Sequence, residues 1–141
     1  VMGLVIVTGA LTHQAAGQNR PTPIADTGVV TLGPNQILRV SVAAGDVNGD
    51  TDVAVRFRQM RYEPCGNQTA PKLCIAHQTT SPPMVLAANE GGTVDGADYV
   101  FWRTIVMSNR RDVKVTGIVF DTSTQRVVTQ IIIANTEGDI H

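Results

Sequence analysis

Strand-like alternation is the sequence feature that most restricts how this chain can fold. The clearest example is VAVRFR, in which Val53, Val55 and Phe57 alternate with small or basic residues. Because successive side chains of a strand point to opposite faces, this pattern predicts a strand with one buried face and one basic, solvated face. Val, Ile and Thr make up 45 of the 141 residues, and their branched side chains favour strands over helices.

Similar apolar segments recur along the chain at intervals of roughly ten to fifteen residues, separated by short polar turns. A chain of 141 residues forms one domain of ordinary size. Seven or eight strands at this spacing predict an all-β fold, an immunoglobulin-like antiparallel β-sandwich. The strands expected in 97–134 carry apolar residues on both faces, more than one sheet face needs. We therefore expect these strands to lie centrally, or their outer face to be covered by another chain.

Two strand–turn–strand segments share a pattern of Leu, Asn and Val with the same spacing: Leu32, Asn35, Val40 and Leu86, Asn89, Val94. The pattern fits a duplicated unit, or two unrelated hairpins with polar turns. Three matching positions carry little weight, so the hairpin interpretation is preferred.

The first residues differ in composition from the rest. Residues 1–17 begin with an apolar run too short to span a membrane and end in the small residues Ala15, Ala16 and Gly17, as the end of a signal peptide does. Alternatively the run is retained and packs as a strand. Residues 18–28 are polar and proline-containing, which predicts a linker, and residues 29–141 are assigned to the sandwich.

Cys65 and Cys74 are the only cysteines, and the loop between them contains turn-forming residues. An even count at this spacing predicts a local disulfide, which forms in an oxidising compartment such as a periplasm or the cell exterior. Two free thiols or a metal site are the alternatives. Asn67 begins a glycosylation sequon within this loop.

Residues 45–53 (GDVNGDTDV) place oxygen-bearing side chains around Gly49, as calcium-binding loops do: Asp46, Asn48, Asp50 and Asp52. The string resembles the calcium loops of dockerins and thrombospondin type 3 repeats over about eight residues. It departs from them at Thr51, which replaces the loop glycine, and at Phe57, which replaces the closing glutamate. The alternative is a polar turn that binds no metal. Calcium is the candidate cofactor if the loop binds a metal, and no cofactor is expected if it does not.

Arginines dominate the cations and cluster on the expected strands. Arg56, Arg58 and Arg61 are candidates for contact with a polyanion such as an acidic polysaccharide, in a stripe that would also include Arg103, Arg110 and Arg111. The alternative is a solvated strand face on which Asp98, Asp112 and Asp121 balance the arginines. Three aromatic residues are candidates either for a sugar-stacking platform or for the core: Tyr62, Tyr99 and Trp102.

Overall charge and motif content narrow the function classes. The net charge of −1 argues against a nucleic-acid partner, because phosphate binding needs a cationic excess. His13, His77 and His141 stand apart from one another, and no known catalytic motif accompanies them. We therefore expect a protein that is not an enzyme.

Three segments together resemble uncharacterised exported β-sandwich proteins of environmental bacteria. They are the hairpin pattern VxLxxxQxLRVxV from Val30 to Val42, the cysteine loop after an arginine-rich strand, and the closing DVKVTGIVFDTSTQRVV of 112–128. The resemblance spans most of residues 28–134. It implies a fold and an extracellular or cell-surface location, and it carries no assigned chemistry.

Two functions follow from these expectations. In the first, the protein is an extracellular subunit that assembles with copies of itself into a filament, because an N-terminal strand completes the sheet of a neighbour, an arrangement that resembles donor-strand pili. The residues of that donor strand are Leu4, Val5, Ile6, Val7 and Thr8. In the second, the protein is a secreted carbohydrate-binding or adhesion module, assisted by calcium.

Overall fold

The described residues form two antiparallel β-sheets and no helix. The computed structural model describes residues 20–45, 53–131 and 133–135. Within them lie eleven strands, where the sequence predicted seven or eight, and the all-β sandwich class is confirmed. The strands are β1 (Thr22–Asp26), β2 (Val30–Thr31), β3 (Gln36–Ala44), β4 (Val53–Pro64), β5 (Leu73–Thr80), β6 (Met84–Leu86), β7 (Gly91–Gly96), β8 (Phe101–Ser108), β9 (Val113–Asp121), β10 (Arg126–Ile131) and β11 (Ala134–Asn135).

The larger sheet has the order β11-β1-β8-β4-β5, and the smaller sheet has the order β10-β9-β3-β7. The short β2 pairs with β8, and the short β6 pairs with β4. The pairing of β3 with β7 and of β4 with β8 matches the B–E and C–F pairs of an immunoglobulin sandwich. In contrast to that fold, β9 pairs with β3, so the last long strands belong to the smaller sheet.

A single apolar core lies between the two sheets, and it follows from the alternation in the sequence. Val53, Val55 and Phe57 of β4 face Leu38 and Val40 of β3, and all five are at most 2% exposed. Each such side chain contributes about 1.5–3 kcal/mol when it is removed from water. As predicted, β8 and β9 lie centrally in their sheets, whereas β10 is an edge strand.

The repeated Leu–Asn–Val pattern marks two equivalent turns, and the preferred hairpin interpretation is wrong. Asn35 and Asn89 both have positive φ, 60° and 64°. In each turn the side chain of the next residue accepts a hydrogen bond, 2.7 Å long, from a backbone N–H: Gln36 Oε1 from Gly33 and Glu90 Oε1 from Ala87. Both turns carry the chain from the larger sheet to the smaller one, so their flanking strands do not pair with each other.

The two units built around these turns are related by a two-fold pattern of strand pairing. One unit is β2-β3-β4 and the other is β6-β7-β8. The units exchange partners symmetrically, because β2 pairs with β8 of the other unit and β6 pairs with β4. Val40 and Val94, which occupy matching positions in the pattern, lie opposite each other in the β3–β7 pair. The structure therefore supports the duplicated-unit interpretation.

Two boundaries differ from the sequence prediction. Residues 22–26 were assigned to a linker but form β1, because Ile24 and Ala25 are buried in the core and the backbone pairs with β8. Residues 97–100 were assigned to a strand but form a loop, in which Asp98 has a φ of 70° that a strand does not accept.

Two sets of predicted site residues lie outside the described ranges. They are the donor strand Leu4–Thr8 and the acidic residues Asp46, Asn48, Asp50 and Asp52. The acidic residues belong to the connection between β3 and β4. Within the described ranges there is no helix long and apolar enough to cross a membrane.

Candidate functional site

Alternation along β4 separates the three predicted arginines. Val55 and Phe57 point into the core, so Arg56 and Arg58 point to the outer face of the larger sheet. The β4–β8 pairing runs without a bulge as far as Tyr62, so Arg61 lies on the inner side of the same strand. The structure therefore brings Arg56 and Arg58 together and places Arg61 elsewhere.

Arg103 of β8 completes a row of three guanidinium groups on the outer face. Arg58 lies opposite Ile105, and Arg103 is two residues from Ile105, which makes Arg58 and Arg103 diagonal neighbours. Diagonal neighbours are about 7–8 Å apart, and Arg56 and Arg58 are separated by about 7 Å along the strand. We call Arg56, Arg58 and Arg103 the arginine face.

Asp26 and Tyr62 hold Arg103 in place on this face. Arg103 Nε donates to Asp26 Oδ1 at 2.9 Å, its Nη2 donates to the second oxygen, and its Nη1 donates to the Tyr62 hydroxyl at 3.2 Å. These hydrogen bonds raise the pKa of Arg103, and the same contact with Arg103 lowers the pKa of Asp26 although partial burial opposes it. Arg103 is thus held in one position on this face and remains positively charged.

Arg56 and Arg58 lack such a partner. Neither forms an ion pair with any residue in the part of the chain that the structure describes. Their Nε atoms are buried and have no hydrogen-bond partner there, and both side chains are half-buried. Their aliphatic stems therefore lie along the sheet.

Other arginines are neutralised by acidic neighbours. Arg39 forms two hydrogen bonds with Asp95, and Arg110 forms two with Asp112. Asp112 therefore plays the balancing role that the sequence suggested. Asp121 instead accepts hydrogen bonds from Ser123 and Thr124 in the β9–β10 turn, which lower its pKa.

Apolar side chains share the outer face with the arginines. Met60, Tyr62 and Met107 are at most 9% exposed, while Phe101 and Ile105 are half-buried. None of the five belongs to the core cluster between the sheets. The predicted surplus of apolar residues on β8 is thus present, and it surrounds the arginine face.

Arg61 lies in a separate cleft of about 410 Å³, where the β5 edge of the larger sheet meets the β7 edge of the smaller one. Within the larger sheet, Arg61 stands between His77 of β5 and Trp102 of β8. We call this cleft the edge cleft. Its lining residues are Gln59, Arg61, His77, Thr79, Asp95, Ala97, Asp98 and Trp102.

The three predicted aromatic residues do not form one platform. Tyr62 lies on the outer face, whereas Trp102 is buried on the inner side against Gly96, where a Cβ would come within 2.7 Å of the indole. Tyr99 is 40% exposed, meets Trp102 edge-on at 6.5 Å and lies under the guanidinium of Arg61 at 4.1 Å.

The disulfide between Cys65 and Cys74 is present, with the two Cα atoms 5.8 Å apart. It closes the connection between β4 and β5. Within that loop Asn67 Oδ1 accepts three hydrogen bonds, two from Thr69 and one from Ala70. The sequon is therefore an ordered turn.

Sequence reasoning missed Asp26 and most of the edge cleft. Asp26 lay in a segment that was assigned to a linker, and its partner is 77 positions away. A signal for the cleft did exist, since the alternation that separates Arg61 from Arg58 places Gln59 beside Arg61 on the inner side.

No protein-family model, curated protein or solved structure matches this chain. Among the described residues no three His, Cys, Asp or Glu side chains are grouped so that they could hold a metal ion.

Proposed function

We propose that this protein is an extracellular binding module that holds an acidic polysaccharide against the arginine face. The observation that carries the proposal is the pair Arg56 and Arg58, which stand side by side on one strand without an acidic partner among the described residues. Like charges at neighbouring positions of one strand face repel each other, and a bound anion relieves that repulsion.

The shape and charge of this surface favour an acidic polymer of sugars. A sheet face is extended, so it suits a chain that lies along it, and the half-buried Phe101 and Ile105 beside the arginines can contact the faces of sugar rings. Arginine is well suited to carboxylate and sulfate groups because its planar group donates two parallel hydrogen bonds. The net charge of −1 argues against nucleic acid.

The disulfide supports an extracellular location for this activity. Disulfides persist in oxidising compartments and are rare in reducing ones. Acidic polysaccharides of cell surfaces and matrices occur in the same compartments. Binding without chemical conversion agrees with the absence of a recognisable catalytic motif in the sequence.

Replacement of both arginines tests the proposal. We expect Arg56→Gln with Arg58→Gln to weaken binding to immobilised heparin, alginate or polygalacturonate roughly tenfold, because two exposed charge contacts are lost. The affinity of the unmodified protein should fall as salt rises, and the double variant should show a weaker salt dependence. Surface plasmon resonance at several salt concentrations measures both effects.

Arg126→Gln is the matched control, because Arg126 is an exposed arginine on β10 of the other sheet. It should bind like the unmodified protein. The proposal fails if the double variant binds as tightly as this control, or if the unmodified protein binds none of the three polysaccharides.

A second candidate function is the filament subunit, and an exposed sheet edge favours it. Among the described residues no strand pairs with the outer side of β10, and Val127 and Val128 are 55% and 51% exposed. Unpaired edges with apolar side chains accept an added strand. Residues 9–21 span roughly 45 Å when extended, enough for Leu4–Thr8 to reach a neighbouring copy.

Strand donation predicts that assembly needs both the N-terminal segment and the β10 edge. A chain beginning at Asn19 should remain monomeric, and Val128→Lys should reduce assembly because a charge on the edge opposes strand addition. Val100→Lys is the control, since Val100 is equally exposed but lies in a loop. Electron microscopy and light scattering measure assembly, and fibres formed by the shortened chain would exclude strand donation.

A further inference from the structure

The edge cleft is built by neighbouring positions on paired strands, so its lining is fixed by the sheet. Arg61 lies directly opposite His77 in the β4–β5 pair, and Gln59 lies opposite Thr79. Gln59 Nε2 also donates to the backbone oxygen of Asp95 at 3.1 Å, which connects the two walls of the cleft. The guanidinium of Arg61 lies over the ring of Tyr99, with its central carbon 4.1 Å from the ring centre.

Two donors in the cleft lining are buried and unsatisfied. Trp102 is 8% exposed, and its indole Nε1 has no hydrogen-bond partner among the described residues. The Nε of Arg61 is in the same situation. Buried donors nearly always have partners, so these two atoms leave the lining of the cleft short of hydrogen-bond acceptors.

The charge balance of the cleft indicates the chemical class of that ligand. Arg61 and Asp98 line the cleft with opposite charges, and Asp98 has no ion pair with any described residue. Asp95 is already neutralised by two hydrogen bonds from Arg39. Because the charges of Arg61 and Asp98 cancel and Asp95 is paired with Arg39, the cleft has no net charge and favours a neutral ligand.

The mixture of groups narrows the class further. Carboxylates accept hydrogen bonds, whereas guanidinium and indole groups donate them, and Thr79 and His77 provide both kinds of contact. The hydroxyl groups of a sugar serve both kinds of neighbour, because each hydroxyl donates one hydrogen bond and accepts others. The cleft volume of about 410 Å³ is within the range of small-molecule sites.

We infer that the edge cleft binds one residue of a neutral sugar, with Asp98 accepting from its hydroxyl groups and with the Arg61 guanidinium donating to them. This site lies on the inner side of β4 and is distinct from the arginine face. It does not depend on the proposed function, because the two sites share no residue.

Tryptophan fluorescence tests this inference, because Trp102 is the only tryptophan of the chain. The full-length protein is titrated separately with glucose, galactose, mannose and N-acetylglucosamine. We expect a saturable change in emission with at least one of these sugars. Glucuronate is titrated as the acidic counterpart, and it should bind more weakly than glucose.

Two variants assign the binding to the cleft. Asp98→Asn removes the carboxylate and keeps a residue that tolerates positive φ, and Arg61→Met keeps an apolar stem over Tyr99. Each should weaken binding roughly tenfold, the cost of one hydrogen bond to a charged group. Arg56→Gln, on the outer face, should leave binding unchanged. Circular dichroism confirms that each variant is folded, and if Arg61→Met is not, Asp98→Asn decides the assignment.

The inference is overturned if none of the four sugars gives a saturable change, if glucuronate binds more tightly than glucose, or if Asp98→Asn binds like the unmodified protein. Loss of polysaccharide binding in the Arg56 and Arg58 double variant has no bearing on it. The two proposals can therefore fail independently.

Discussion

Asp26 and Arg103 form the ion pair that joins β1 to the centre of the larger sheet. The side chains are 20% and 33% exposed, so solvent screens this contact less than it screens the Arg39–Asp95 and Arg110–Asp112 pairs. Asp26 also accepts a hydrogen bond from the Gly28 backbone N–H at 2.9 Å. The carboxylate is thus held from both sides, and Arg103 is kept beside Tyr62.

Asp26→Asn is expected to lower the free energy of unfolding by about 1–3 kcal/mol at neutral pH, because it weakens hydrogen bonds to a charged group. The folded-state pKa of Asp26 is lowered, chiefly by Arg103. Its contribution is therefore complete above the unfolded pKa of about 4 and is lost as the pH falls through the lower folded value. Urea denaturation between pH 7 and pH 2 measures this difference.

Asp112→Asn provides the comparison, because it breaks a more exposed ion pair within one short turn. Its effect should be smaller, between about 0 and 1 kcal/mol. Equal losses in the two variants, or a loss in Asp26→Asn that persists unchanged at pH 2, would contradict the role assigned to Asp26.

Single residues were predictable from sequence where a local pattern determined them. The alternation in β4 was enough to place Val53, Val55 and Phe57 in the core, and the spacing of the cysteines predicted their disulfide. The partner of Arg103 was not predictable, because Asp26 meets it through a pairing between strands far apart in sequence. Charge balance between strands depends on such pairings and leaves no local pattern in the sequence.

At the scale of elements, β5 is unusual because every one of its side chains is exposed. It buries nothing in the core and is held by its pairing with β4 and by the disulfide. Its His77 and Thr79 nevertheless form one wall of the edge cleft. The position of that wall therefore depends on strand pairing and on a covalent bond, and not on packing in the core.

Replacement of Cys65 and Cys74 by Ser should loosen β5 before it affects the rest of the domain. Closing a loop of this length stabilises a protein by about 2–3 kcal/mol in the chain-entropy model. We expect faster amide hydrogen exchange in 73–80, with little change in β3 and β9, whose inner residues are buried. Mass spectrometry of exchanged peptides resolves these segments.

A uniform rise in exchange across both sheets would contradict this prediction, because it would mean that the disulfide stabilises the whole domain. Val85→Ser is a suitable reference substitution, since Val85 lies on the same edge of the sheet and is 60% exposed. It should leave exchange in 73–80 unchanged.

Elements were predictable to the extent that their pattern is long and regular. The alternation of VAVRFR, for example, was enough to predict the first part of β4. Sequence reasoning missed β1, because five residues that include Pro23 provide too little alternation to indicate a strand. It extended β8 through 97–100, because Tyr99 and Val100 are apolar although they lie in an exposed loop.

At the scale of the whole molecule, the sandwich class was predictable but the pairing of its strands was not. Strand number and spacing indicate two packed sheets, whereas the partner of each strand depends on contacts across the chain. The Leu–Asn–Val repeat was the exception, since it marked the equivalent turns from sequence alone. Its meaning became clear only when β2 and β6 were found beside the central strands of the opposite unit.

The two-fold relation between the units has a consequence for how such a domain holds together. Neither unit has a partner for its own first strand, so one unit alone would leave that strand unpaired and half the core in water. Two separate copies would fold only by dimerising, and dilution would dissociate the dimer and unfold both copies. A covalent connection between the copies gives each a permanently high local concentration of the other, and this chain has such a connection in residues 65–83.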